Sequence, residues 1–275
     1  MSDERAVPTV EVDDVRRVFS RRGRTTVAVD GVSFTMRAGR DLGIVGESGS
    51  GKSTLARIIM GLDTPTSGSV RVQGEDMTAK PRSRVERLRR AKLVQMVYQD
   101  PYGSLDPRQS VRACLVEVLR LHPPRDIDIA ARASELGDLV GLTPGQLDRS
   151  PTGLSGGQRQ RVAIARALAV EPRLVILDEA VAALDISIQA QILNLLAELR
   201  EELGTAYLLI SHDLAVVRQL TDDVVVLHHG RVVEQGETGV VLDDPAEAYT
   251  RRLRDSIPSA QWREPGTLDA LVVTV

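Results

Sequence analysis

The sequence predicts an α/β fold in which a mainly parallel sheet is interrupted by a helical lobe. Three observations predict it. Apolar runs such as Leu42-Gly43-Ile44-Val45 and Leu174-Val175-Ile176-Leu177 are too short for helices and read as strands buried on both faces. The first run enters a glycine-rich segment that passes directly into a helical pattern. Between about residues 101 and 170 strand patterns give way to helical ones.

Taken in order, residues 9–18 alternate loosely and read as a strand, as do residues 27–36, with Gly39 marking a turn. Residues 42–45 form a buried strand, residues 53–62 a helix and residues 69–73 another strand. Residues 81–90 are basic and helix-like, and 93–98 β-like. Pro101, Gly103 and Pro107 make residues 100–108 a loop. Helices are expected over 110–121, 128–140 and 155–169, and Pro172 separates the last from a strand at 174–177. Residues 186–203 form a strong helix stopped by Gly204. Strands follow at 207–210 and 224–227, Gly230 turns a final hairpin, and residues 245–256 form a terminal helix. The expected organisation is one domain over 1–256, its core about 1–99 and 171–240 and its helical lobe about 100–170, with a short tail at 257–275.

The composition narrows the function classes. With 42% apolar and 27% charged residues the chain can bury a globular core. A net charge of −3 and an aromatic content of 3% argue against a nucleic-acid partner. The single cysteine, Cys114, excludes an intrachain disulfide framework and a cysteine-ligated metal cluster. The N-terminal residues lack the apolar core of a signal peptide, and no apolar run approaches the roughly 20 residues that span a bilayer. Any membrane process would be reached through a partner.

Gly46-Glu47-Ser48-Gly49-Ser50-Gly51-Lys52-Ser53-Thr54 is a phosphate-binding loop, fitting G-x-x-x-x-G-K-[ST]. Its glycines let the backbone curl until several N–H groups point inward at phosphate oxygens, and the following helix adds its positive end. Lys52 is placed to reach the β- and γ-phosphates of ATP, and the Ser53 hydroxyl to ligate Mg²⁺. A chance glycine-rich turn would lack the strand before it and the helix after it.

The strand at 174–177 ends in two acids, Asp178 and Glu179. Strand ends are where ligands sit in parallel sheets. Asp178 is expected to hold Mg²⁺, and Glu179 to orient or deprotonate the attacking water. The competing explanation is a strand simply leaving the core for solvent. The phosphate loop upstream weighs against it.

Leu154-Ser155-Gly156-Gly157-Gln158 opens a helix, with Ser155 suited to the N-cap and the glycines permitting close approach of a ligand. Its bare N–H groups make a second anion site, for which one subunit has no obvious need.

Phosphate loop, LSGGQ, LVILDE and Ser211-His212-Asp213 stand in the order seen in ATP-binding cassette (ABC) ATPases, and the resemblance runs from about Val10 to Gly236. It implies a P-loop NTPase core with flanking helices and an antiparallel β subdomain. It also implies two ATPase subunits, identical or paralogous, in a head-to-tail dimer, each ATP lying between one phosphate loop and the other subunit's Ser155, Gly156, Gly157 and Gln158. Gln99 matches the glutamine that senses Mg²⁺ and the membrane partner, and His212 the histidine that contacts the γ-phosphate. Asp185 matches the loop that crosses the dimer interface, and Phe19 the aromatic that stacks on adenine, although Phe19 could equally be core. His228 and His229 read as ordinary surface histidines. Residues 180–185, Ala-Val-Ala-Ala-Leu-Asp, depart from the common Pro-Thr-Ser-Ala-Leu-Asp; no catalytic side chain is lost.

The segment from Gln99 to Arg108, QDPYGSLDPR, resembles the oligopeptide, dipeptide and nickel importer branch, as does Ala28-Val29-Asp30-Gly31-Val32-Ser33-Phe34. That branch implies transmembrane permease subunits, an extracytoplasmic solute-binding protein and a location on the cytoplasmic face of the cell membrane. A plain surface turn is the alternative for the first segment. The second functional reading is a non-transport cassette acting in DNA repair or translation, and the third a degenerate, non-hydrolysing subunit. Neither a second cassette nor a coiled-coil or basic insert appears in the sequence, and Lys52, Asp178, Glu179 and His212 are all present.

Overall fold

A computed structural model describes residues 7–21, 24–100, 103, 105–123, 128–182 and 184–256. Pro101, Tyr102 and Ser104 of the expected loop, Ala183 and the tail 257–275 lie outside the described residues.

Strand β1 (Val10–Arg21) pairs antiparallel with β2 (Arg24–Met36) and with β4 (Ser67–Val72), which pairs with the two-residue β5 (Glu75–Asp76). The second sheet runs β10-β9-β3-β8-β7-β6, with β3 (Leu42–Val45), β6 (Val94–Val97), β7 (Leu174–Asp178), β8 (Ala206–Ser211) and β9 (Asp223–His228) parallel and β10 (Arg231–Glu237) antiparallel at its edge. The chain is thus α/β with an antiparallel subdomain, as the sequence predicts. Between β6 and β7 it forms helices α3 (Val111–Leu121), α4 (Ile129–Leu139), α5 (Pro144–Leu147) and α6 (Gly156–Leu168), preceded by α1 (Lys52–Ile59) and α2 (Arg84–Ala91). Helices α7 (Ile186–Leu203), α8 (Leu214–Leu220), α9 (Thr238–Asp243) and α10 (Ala248–Asp255) complete it.

The parallel strands are apolar throughout because both faces are buried against different layers. Leu174, Ile176, Leu208, Ile210, Val225 and Leu227 face a core shared with α1 and the antiparallel sheet. Their neighbours Val175, Leu177, Tyr207, Leu209, Val224 and Val226 face the opposite core, shared with α3, α4, α6 and α7. Side chains alternate along a strand, so one run serves two cores. Gly43 of β3 faces α8: a Cβ there would lie 2.6 Å from Val217 Cγ1, so the helix packs on bare backbone.

Helix limits follow local chemistry. Ser155 and Gln158 close a capping box on α6, whose loss typically costs about 1 kcal/mol. Gly204 takes the left-handed conformation, φ 63°, that ends α7. His229 and Gly230 form the two-residue turn of the last hairpin, both at positive φ, the type that matches strand twist.

The N-terminal edge of the parallel strands is tied by Asp41, a carboxylate only 3% exposed. It accepts from the Tyr207 N–H (2.8 Å) and from Arg200 (2.7 Å), while its own carbonyl accepts from the N–H groups of Asp222 and Asp223. The Asp41 N–H donates to Asp222 Oδ2 at 2.7 Å. Burial pushes the Asp41 carboxyl up, and the Tyr207 and Arg200 hydrogen bonds oppose it. β3, β8, β9 and α7 therefore meet at one residue, β8 and α7 through its side chain and β9 through its backbone. Asp41→Ala should lower the unfolding free energy by about 2–3 kcal/mol, since two donors lose a charged acceptor. Chemical denaturation should show a lower midpoint at unchanged slope. A shift below about 0.5 kcal/mol, the scale of ordinary surface changes, would mean that water replaces the network at no loss.

Candidate functional site

The opposite edge gathers the predicted chemistry. The glycine-rich loop leaves β3, Asp178 ends β7, Ser211 ends β8, and Gln99 lies two residues beyond β6. These strands are neighbours in register, Val45 with Ser211, Asp178 with Ile210, and Val97 with Leu177. The carboxyl ends of four adjacent parallel strands thus open onto one crevice, the general ligand position in such sheets.

Loop geometry depends on glycine at two places. Gly46 has φ 147°, and a Cβ on it would sit 2.1 Å from the Leu227 carbonyl oxygen. Gly51 has φ 104°, and a Cβ would sit 2.3 Å from the Ala28 carbonyl oxygen. The loop is therefore seated against β9 and β2 where no side chain fits. Ser48 and Gly49 at its crest are exposed, while Ser50 and Lys52 are buried. The buried Ser50 hydroxyl has no hydrogen-bond partner among the described residues.

Lys52 is 5% exposed, and its ammonium donates to the carbonyls of Gly46 (2.6 Å) and Glu47 (2.9 Å). Burial pushes its pKa below the ordinary lysine range, and the charges of Glu179, Asp178 and Glu47 pull it back. An ammonium held by two carbonyls at the start of a helix is poised to exchange them for anionic oxygens.

Ser53 Oγ donates to Asp178 Oδ1 at 3.3 Å, joining the loop to β7. Burial pushes the Asp178 carboxyl up, the Ser53 hydrogen bond lowers it, and neighbouring Glu179 raises it again. Adjacent hard oxygens from a hydroxyl and a carboxylate suit Mg²⁺, which uses few protein ligands and takes the rest from water and phosphate. Among the described residues no group of three or more His, Cys, Asp or Glu forms a complete metal cage.

Glu179 sits in an uncommon backbone conformation. Its φ is +48°, unfavourable for a non-glycine residue. Its N–H donates to the Ile210 carbonyl at 2.9 Å, and its carboxylate lies 3.4 Å from His212 Nδ1. His212 stands between β8 and α8, where Asp213 donates its N–H to the Ser211 hydroxyl and caps α8 through Ala215 N and Val216 N. Both flanks of this exposed histidine are fixed while its ring faces the crevice acid.

The predicted residues on α6, at the start of α7 and on β1 make their contacts outside this cluster. The hydrogen bonds of Ser155 and Gln158 stay within the start of α6. Gly157 packs on α7, where a Cβ would meet Ile188 Cγ2 at 2.5 Å; Gly156 makes only ordinary contact with Leu184. Asp185 caps α7 through Ile188 N (2.9 Å) and accepts from Ser187 Oγ. Phe19 is on the surface of β1, 39% exposed, with the Arg17 guanidinium 4.4 Å from its ring centre. Gln99 is exposed, and Thr54 is half-buried on α1.

One contact escapes sequence reasoning: Tyr249 of α10 accepts a hydrogen bond from the Glu47 N–H, 202 positions away. Only the scarcity of aromatics, with four tyrosines in the chain, could have drawn attention to it.

Comparison with known proteins agrees with this geometry. Residues 29–182 match the family model described as ABC transporter. The oligopeptide transport ATP-binding protein OppF of Lactococcus lactis is 44% identical over 242 residues, 88% of this chain and 75% of the relative. The oligopeptide transport ATP-binding protein OppD of Mycobacterium tuberculosis is 49% identical over 231 residues, covering 84% of this chain and 37% of that protein. Among solved structures, a dimeric post-hydrolysis state of the ATP-binding cassette MJ0796 bound to ADP and Pi superposes with TM-score 0.74 at 29% identity, over 83% of this chain and 98% of that one.

The burial of Asp178 has a measurable consequence. Its folded-state pKa is raised, so ionising it is harder in the folded chain than in the unfolded one. The resulting destabilisation is present above the folded pKa and disappears below the ordinary aspartate value. Asp178→Asn should therefore raise the melting temperature of the nucleotide-free protein at pH 7, with the gain shrinking as pH falls. It should also weaken binding of Mg²⁺-ATP. A lower melting temperature would show that the carboxylate stabilises the fold instead.

Proposed function

This chain belongs to the ABC transporter family, and from that premise we propose that it is the ATP-hydrolysing subunit of an importer for peptides or a similar small solute. The observation that carries this reading is the crevice itself: Lys52, Ser53, Asp178, Glu179 and His212 meet where β3, β7 and β8 end. The oligopeptide relatives named above support the importer class, as does the glutathione import ATP-binding protein GsiA of Salmonella paratyphi A, 44% identical over 244 residues. That relative is covered over 39% of its length.

In this reading the loop from Gly46 to Thr54 binds the phosphates, and Lys52 leaves its carbonyls for the β- and γ-oxygens. Ser53 and Asp178, with Gln99 two residues beyond the neighbouring β6, hold Mg²⁺, which when bound neutralises phosphate charge. Glu179 accepts the proton of the attacking water, and His212 contacts the γ-phosphate while staying beside Glu179. Phe19 receives the adenine.

Two subunits assemble head to tail, so that Ser155, Gly156, Gly157 and Gln158 of one face the phosphates held by the other. The start of α6 presents the positive end of a helix with two glycines in its first turn, which supports a shared anion site. Asp185 lies at that interface. The nucleotide-binding domain spans 1–256, and its helical lobe, about 100–170, meets the permease through residues 100–108. Permease subunits hold the chain at the cytoplasmic face; no described helix is long and apolar enough to cross a membrane. A solute-binding protein delivers the solute to them.

The test is uptake of a radiolabelled oligopeptide in the host strain lacking this gene. A plasmid copy of the parent should restore uptake, and one carrying Lys52→Ala should fail while accumulating to the same level. Undiminished peptide uptake without the gene, or full rescue by Lys52→Ala, would contradict the proposal.

A further inference from the structure

The phosphate loop is held from outside as well as from within. The peptide joining Gly46 to Glu47 is contacted at both of its polar ends: its carbonyl accepts from Lys52 Nζ at 2.6 Å, and its N–H donates to Tyr249 Oη at 3.2 Å. In a planar trans peptide these groups point in opposite directions. Rotating that peptide about its flanking bonds would therefore break both bonds together. Gly46 is where such a rotation meets least resistance, because it has no Cβ and a φ of 147°.

Tyr249 is built to be stationary. It is 7% exposed, and its ring stacks on His228 at the end of β9, centroids 3.9 Å apart and planes 25° from parallel. His229, in the adjoining turn, lies 4.0 Å from His228. The same strand end supplies the Leu227 carbonyl against which Gly46 is seated. The entry to α10 is fixed by Glu234 of β10, whose carboxylate accepts from the N–H groups of Ala246 (2.8 Å) and Glu247 (3.3 Å). The adjacent Thr250 is fully buried. A hydroxyl mounted this way is a fixed acceptor.

We propose that Tyr249 is a positioning residue for the phosphate loop: its hydroxyl holds the Gly46–Glu47 peptide in the orientation that keeps Lys52 in place to receive ATP. The C-terminal helix α10 thereby sets part of the nucleotide affinity without touching the reacting atoms. The inference rests on reading residues 46–54 as the ATP site. Without the hydroxyl, the Glu47 N–H seeks another acceptor, the peptide samples other orientations, and the competent fraction falls. Apparent affinity falls in proportion to that fraction, whereas turnover of the bound complex does not.

Tyr249→Phe separates this role from simple packing, since it keeps the ring and the His228 stack and removes only the acceptor. Titration with a fluorescent ATP analogue should show Kd raised about two- to tenfold, the weight of one neutral hydrogen bond. Turnover at saturating ATP should stay within about twofold, and the nucleotide-free melting temperature should be unchanged. Lys52→Ala is measured beside it. If Lys52→Ala loses ATP binding while Tyr249→Phe binds like the parent, the Tyr249 assignment is wrong and the phosphate-loop reading stands. A lowered melting temperature with parental Kd makes Tyr249 a packing residue only and likewise overturns the proposal. If Lys52→Ala itself binds like the parent, the loop is not the ATP site and the proposal falls with it.

Discussion

The nucleotide end of this molecule depends on one unfavourable placement, a lysine ammonium taken out of water and given only two carbonyl oxygens of its own loop. A buried cation without an anion at hydrogen-bonding distance is unstable unless its surroundings compensate. The compensation is electrostatic and positional: Glu179, Asp178 and Glu47 all favour the charged form, and the glycine-dependent turn keeps the carbonyls within reach. In the proposed reading an arriving triphosphate would satisfy what the fold leaves incomplete. Binding energy is then available because the loop already has its shape, the general advantage of preorganisation.

The two edges of the parallel sheet divide stability from chemistry. At the amino ends of the strands, Asp41, Asp222 and Asp223 are matched by Arg200, Arg37 and Arg40 and by backbone donors, so each charge is answered. At the carboxyl ends the charges are left open. Asp178 is raised by burial, Glu179 has a left-handed backbone, and His212 reaches it from the next strand. Strain of this kind persists only where surrounding structure over-determines it. The Glu179 N–H bonded to Ile210 and the Asp213 cap beside His212 provide that restraint.

Much of this was legible in the sequence, for reasons that can be traced. Strands β3 and β7 declared themselves because burial on two faces removes polar alternation, and α7 because its 18 residues carry a long helical pattern ended by a glycine stop. The phosphate loop was legible because its residues are contiguous, although the backbone contacts that demand glycine at Gly46 and Gly51 come from Leu227 and Ala28 elsewhere in the chain. The two-residue β5 and the short helices α5, α8 and α9 went unseen. One or two turns carry too little periodicity, although Asp213 before Leu214-Ala215-Val216-Val217 was a readable cap signal for α8. Long-range pairs were invisible in principle. Nothing near Tyr249 announces Glu47, and nothing around Gly157 announces that it also packs on α7, where a Cβ would lie 2.5 Å from Ile188 Cγ2.

The central claim is that the crevice hydrolyses ATP with Glu179 as the proton-accepting carboxylate and that binding is the work of other residues. Glu179→Gln separates the two, because it keeps size and hydrogen bonding while removing the charge and the basic site. Steady-state phosphate release and ATP binding should be measured on the same preparation. The account predicts binding within about threefold of the parent and turnover reduced about 10²–10⁴-fold. Phosphate release near the parental rate would contradict it, since the strained acid beside His212 would then have no part in the chemistry.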